Sequence, residues 1–97
     1  MARVIYSDEA FGDFERIIGF LLENSPNSAG PALDSIRAAI LVLAAHPAIG
    51  RRVDTFRREL VISHGATGYL ALYRHDARID TVRILRIRHQ REAGYRD

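Results

Sequence analysis

The stretch GYLALYRHDARIDTVRILRI, Gly68 to Ile87, decides the fold class. Tyr69 to Arg74 reads as a strand, with Tyr69 and Tyr73 on one face because side chains alternate along a strand. His75 to Arg78 reads as a hairpin turn, and Ile79 to Ile87 as a longer strand. Val82, Ile84 and Leu85 put apolar side chains on both faces of that strand, as a central position in a sheet requires. Upstream, Arg57 to Ile62 has the same character, and Ser63 to Gly68, with two glycines, reads as the turn between them. Ala48 to Phe56 is a loop containing Gly50-Arg51-Arg52. The second half is therefore an antiparallel meander.

Further towards the N-terminus the apolar period changes. Phe11, Phe14, Ile17, Ile18, Leu21 and Leu22 are spaced 3, 3, 1, 3 and 1, which predicts one face of a helix over residues 8–24. Ser7 can cap its first N–H groups, and Asp8 and Glu9 suit the positive end of its dipole. A second helix over 29–46 follows from Leu33, Ile36, Ile40 and Leu43, spaced 3, 4 and 3. Asn27 or Ser28 is its expected cap, and Pro31 falls in its first turn. His46-Pro47 stops it. The short connection predicts an antiparallel helical hairpin. Arg3 to Tyr6 reads as an opening strand. The order is strand, helix, helix, strand, strand, strand. This is a two-layer α+β domain over residues 1–97, with the hairpin packed on a small antiparallel sheet. Leu21, Ile36, Leu43 and Leu72 are expected in its core.

Composition narrows the chemistry. The chain has 97 residues and no cysteine, so disulfides, thiolate metal sites and cysteine nucleophiles are excluded. No apolar run approaches the length of a membrane span, and the N-terminus lacks an apolar signal core, so a cytoplasmic protein that does not engage membranes is expected. All 14 basic residues are arginine. Residues 1–49 hold three arginines against six acids, and residues 50–97 hold eleven against six. Such a basic half suits nucleic acid or an acidic protein segment.

No phosphate-cradling glycine loop is present, and no cofactor or small-molecule ligand is expected. His46, His64, His75 and His89 lack partners at metal-ligand spacing, so no metal is expected. His64 and His75 are read as solvated turn residues. What remains is a basic set: Arg51, Arg52, Arg57 and Arg58 before and at the start of one strand, and Arg83, Arg86, Arg88, His89, Arg91 and Tyr95 along and after the last. In a meander these segments can face a common surface. Such a surface can bind phosphates, or cleave RNA without a metal if a base and an acid flank the phosphorus. His89 and Tyr95 are the proton-transfer candidates there. Arg86, His89, Arg91 and Tyr95 sit at or beyond the end of the apolar strand, so changing them is expected to leave the core intact.

The opening strand with Ser7-Asp8-Glu9-Ala10 and its helix resembles the RelE/ParE superfamily of type II toxin–antitoxin toxins. So do LAAHPAIGRRV (Leu43 to Val53), RRELVI (Arg57 to Ile62), GYLALYR (Gly68 to Arg74) and VRILRIRHQREAGY (Val82 to Tyr95). The resemblance spans essentially the whole chain. It implies a small plasmid- or chromosome-encoded toxin neutralised by a cognate antitoxin, which lays an amphipathic helix or an added strand on the domain.

The superfamily divides by target. Ribonuclease members cut mRNA on the ribosome; for that branch the resemblance makes Arg57, Arg58, His89 and Tyr95 catalytic. It also asks for an arginine after Gly68-Tyr69, where this chain has Leu70. The apolar YLALYR strand and the RHQREAGY ending look more like the plasmid-stabilisation, ParE-type branch, which blocks DNA gyrase. That branch is the favoured expectation, with Arg51, Arg52, Arg83, Arg86, Arg88 and Arg91 as target-binding residues. The alternatives are the mRNA endoribonuclease and a non-toxic orphan binding domain.

Overall fold

Ser7 opens the first helix as expected. In the structure, a computed structural model that describes residues 1–65 and 67–95, the Ser7 hydroxyl accepts a hydrogen bond from the Ala10 N–H at 3.0 Å. Helix α1 runs over Asp8–Asn24. Helix α2 runs over Pro26–Leu41, and a 3₁₀ turn at Val42–Ala44 carries the chain on. Strand β1 is Arg3–Tyr6, β2 Arg51–Arg52, β3 Arg58–His64, β4 Thr67–Asp76 and β5 Thr81–His89.

The architecture is the expected α+β arrangement of two helices on one face of a sheet, with differences in detail, among them that the second helix ends at Leu41 and not at 46. The second helix starts at Pro26, with no side-chain cap from Asn27 or Ser28, because proline at the first helical position carries a preset φ and no N–H to satisfy. Pro31 therefore lies inside the helix and not in its first turn. The sheet is mixed: its order is β1-β5-β4-β3-β2, with β1 parallel to β5 and the other pairs antiparallel. A strand's period does not say which neighbour it joins, so the parallel edge had no local signal. Arg51–Arg52, expected in a loop, forms the other edge. The β4–β5 turn occupies Ala77 to Asp80, two residues later than expected. There Asp76 accepts the Arg78 N–H at 3.1 Å and Asp80 takes φ +46°, a left-handed conformation that aspartate tolerates.

Strand β5 carries one extra residue. Leu72 pairs with Arg86 but Tyr73 pairs with Ile84, so Leu85 is a bulge. The bulge resets the alternation. Val82, Ile84 and Ile87 all reach the core on the helix side, although 84 and 87 differ in parity. They pack there with Ile17, Ile36, Ile40, Leu43, Ile62, Tyr69 and Tyr73. Ile36 and Leu43 are core as expected. Leu21 is only partly buried at its margin, and Leu72 is buried on the opposite face of the sheet. The first helix is rotated from its apolar stripe. Its buried face is Ala10, Asp13 and Ile17, while Phe11 and Leu22 are more than half exposed.

Tyr73 also fixes the loop before β2. Its hydroxyl donates to the Pro47 carbonyl at 2.8 Å and accepts from the Gly50 N–H at 2.8 Å. A Cβ at Gly50 would stand 2.6 Å from that hydroxyl, so only glycine allows the approach.

Candidate functional site

The pairing register distributes the arginines. Arg51, Arg74, Arg83, Arg86 and Arg88 project from the face without helices, on either side of Leu70 and Leu72. Three of the six arginines expected to bind a target, Arg51, Arg83 and Arg88, thus share a surface, while Arg86 starts from it but its guanidinium is held by Asp13 of α1. Arg52 and Arg91 do not join it. Arg52 pairs with Arg58, one step out of phase, and Arg91 lies past the end of β5 on the helix side.

The C-terminal segment folds back across this face. The Tyr95 hydroxyl donates to Glu59 Oε2 at 2.7 Å, and its ring lies 5.7 Å from the Arg86 guanidinium carbon and 5.2 Å from that of Arg88. Glu59 is 7% exposed and also accepts from Arg51 Nε at 3.2 Å and from Arg51 Nη2. Burial pushes the Glu59 carboxyl up, but the bonds from Arg51 and Tyr95 outweigh it and hold the group below its ordinary value. Burial, then the bond to the Glu59 carboxylate, raises the Tyr95 phenol. Glu92 latches the segment further by accepting from Arg16 Nη1 at 2.9 Å and from the His89 N–H at 3.1 Å.

His89 points the other way. It stands opposite Tyr69, with ring centroids 5.3 Å apart, against a cavity of about 430 Å³ also lined by Ile17, Phe20 and Leu21 of α1. Its Nδ1 accepts the Arg91 N–H at 3.1 Å, so the neutral ring carries its proton on Nε2, which donates to Thr67 Oγ1. The two expected proton-transfer groups are therefore on opposite faces of the sheet. Arg57 and Arg58 do not meet them either. Arg57 precedes β3 and pairs with Asp54 through Nε at 2.7 Å, and Arg58 Nη1 donates to the Gly50 carbonyl at 2.9 Å.

Arg86 is less peripheral than its sequence position implies. Its Nε and Nη2 donate to Asp13 at 2.9 and 3.1 Å, and Asp13 also accepts the Ile87 N–H at 2.8 Å. Changing Arg86 therefore disturbs the core, contrary to expectation, because a buried carboxylate needs its partner. His64 and His75 are not turn residues. His64 ends β3 and shares a hydrogen bond with Ser35 of α2 at 2.9 Å, and His75 lies in β4, 3.0 Å from Asp80. Sequence reasoning offers Glu59 as a partner for the arginines, which Arg51 bears out, but misses its burial and misses Asp13 altogether. The available signal was an acid inside the apolar run of RRELVI and an acid between Ala10 and Ile17 on one helix face.

Burial, then the charge of Arg91, lowers the pKa of His89 in the folded chain. The unfolded chain takes that proton more readily. The stability linked to His89 is thus fully present above about pH 6.5 and is lost as the pH falls below it towards the folded-state value. In thermal melts between about pH 8 and about pH 5, wild type should lose stability relative to His89→Gln as the pH drops. Parallel curves would refute this.

The family model of the ParE toxin of the type II toxin–antitoxin system parDE matches residues 4–94. The chain belongs to this toxin family. Toxin RelE3 of Caulobacter vibrioides is 38% identical over 92 residues, covering 95% of this chain and 98% of that one. Toxin RelE1 of the same organism is 35% identical over 71 residues, covering 73% and 76%. A chain from the chromosomal ParDE system of P. aeruginosa superposes with a TM-score of 0.75 at 22% identity, over 92% of this chain and 96% of that one. The fold of this ParE-family chain is thus shared with a ParDE protein. The family places it in a type II toxin–antitoxin system and implies an antitoxin partner. Among the described residues, no helix is long and apolar enough to cross a membrane.

Proposed function

We propose that this toxin acts by inhibiting DNA gyrase. The observation that carries the reading is the separation of His89 and Tyr95 by the thickness of the sheet. An acid and a base that act on one phosphodiester must both reach it, and these two face opposite sides. The Tyr95 hydroxyl is moreover engaged by Glu59, and the position after Gly68-Tyr69 is the buried Leu70, where the ribonuclease branch calls for a phosphorane-stabilising arginine. Without the cleavage apparatus, the arginine face serves as a binding surface. Gyrase as target also places the toxin in the cytoplasm.

The cognate antitoxin covers the outer side of the helical hairpin. Phe11, Ile18 and Leu22 of α1 line a groove of about 630 Å³ with Leu33 and Arg37 of α2. An amphipathic helix fits such a groove through residues spaced one turn apart.

The chain should be expressed without its antitoxin and assayed for gyrase supercoiling and for ribosome-dependent mRNA cleavage. Inhibited supercoiling with intact transcripts is expected. Charge reversal at Arg83 should then weaken inhibition roughly tenfold, about 1.4 kcal/mol, while the same change at Arg91, which lies off that face, and His89→Ala should matter little. Cut transcripts with normal supercoiling would overturn the reading in favour of the endoribonuclease. Harmless expression would favour a non-toxic binding domain.

A further inference from the structure

A second basic cluster lies beside the arginine face. The loop 53–57, the end of β4 and the β4–β5 turn enclose a cavity of about 440 Å³. Arg52, Arg58, Arg74 and Arg78 line it, and Asp76 is the one acid on its wall. Arg78 takes that acid, with Nη2 3.9 Å from Asp76 Oδ2. Among the described residues, no carboxylate lies within ion-pair distance of Arg52, Arg58 or Arg74. Three guanidinium groups from two strands and the edge strand β2 thus border one cavity without a carboxylate partner. Their fork of donors matches the oxygens of a phosphate.

Phe56 stands on the rim of the same cavity. It is 64% exposed, and the Arg74 guanidinium carbon lies 4.9 Å from its ring centre. Leaving a phenyl ring in water is unfavourable, and the hairpin core gives it no partner. An exposed aromatic ring next to arginines that have no carboxylate partner among the described residues is a combination that holds single-stranded nucleic acid: the cations take the backbone and the ring takes a base. An acidic peptide would use the cations but leave the ring unused.

We propose that this cavity binds single-stranded nucleic acid, with one phosphate among Arg52, Arg58 and Arg74 and the adjoining base stacked on Phe56. The site requires no bond cleavage, and neither His89 nor Tyr95 lines it. It therefore stands apart from the choice between gyrase and mRNA as the toxin's target.

The test is fluorescence anisotropy of the full chain with labelled oligothymidylate and, separately, oligouridylate, at several salt concentrations. Binding to both is expected, since stacking and phosphate contacts tolerate either sugar; binding to one alone supports the site and identifies its strand. Phe56→Ala should weaken binding about fivefold to about a hundredfold, and Phe56→Leu, which keeps bulk without the aromatic face, nearly as much. Arg52→Gln and Arg74→Gln should each lower the slope of log affinity against log salt by about 0.7 per lost phosphate contact. Arg3→Gln, exposed on β1 at the opposite edge of the sheet and outside the cavity, should bind like wild type. These substitutions are at exposed positions, and circular dichroism verifies that each variant is folded. No binding to either strand would overturn the proposal. So would wild-type affinity in Phe56→Leu, an equal loss in Arg3→Gln, or equally effective competition by an oligoglutamate peptide.

Discussion

Leu43→Ala is expected to lower the free energy of unfolding by about 2–5 kcal/mol. Leu43 is fully buried, yet it lies in the 3₁₀ turn after α2 and not in the helix. Its side chain belongs to the cluster formed by Ile36, Ile40, Val82 and Ile84. The turn is also tied to the start of the chain, where the Ala2 N–H donates to the Ala44 carbonyl at 2.8 Å. Such a site relaxes poorly around a cavity, which favours the upper part of the range. Leu41→Ala, two residues earlier and 66% exposed, is the control and should change stability by less than about 0.5 kcal/mol. Urea titrations of both variants decide the matter. Similar midpoints would show that Leu43 is not core.

Asp13→Ala is expected to cost about 3–5 kcal/mol, the range for removing one partner of a buried ion pair. Asp13 is 4% exposed and accepts two bonds from Arg86 and one from the Ile87 backbone. Alanine removes all three acceptor contacts and leaves a cation and an amide beside an apolar wall. Asp13→Asn keeps an acceptor and should cost markedly less. The double variant Asp13→Leu/Arg86→Met should recover most of the loss, because apolar residues replace a buried pair with little penalty once both charges are gone. Urea unfolding of the cycle measures the coupling. A cost below about 1 kcal/mol for Asp13→Ala would mean that water already serves these groups.

Much of the fold was legible without coordinates. Ser7 with Asp8 and Glu9 marked the start of α1, because capping and dipole effects act within one turn. The two tyrosines of β4 fell on one face and are both core, since alternation is a local property of the strand. The arginine composition of the second half foretold a basic surface. The candidate site was legible only as a set of residue types.

The arrangement of that site was decided by tertiary structure. The Leu85 bulge shifts β5 by one residue, and a one-residue shift moves every later side chain to the other face. That shift leaves His89 with the helices and Arg88 on the open face, a division that chain spacing alone does not reveal. The return of Tyr95 onto Glu59, 36 positions away in the chain, depends on a carboxylate brought there by β3. The rotation of α1 that buries Asp13 depends on the Arg86 and Ile87 donors of β5, 73 and 74 positions away. Helical and strand periods and the Ser7 cap are set by neighbours along the chain, and the sequence alone determined them. Which face a strand presents after a bulge, which edge β1 joins and which acids become buried are set by contacts between distant segments, and these exist only once the two layers have packed.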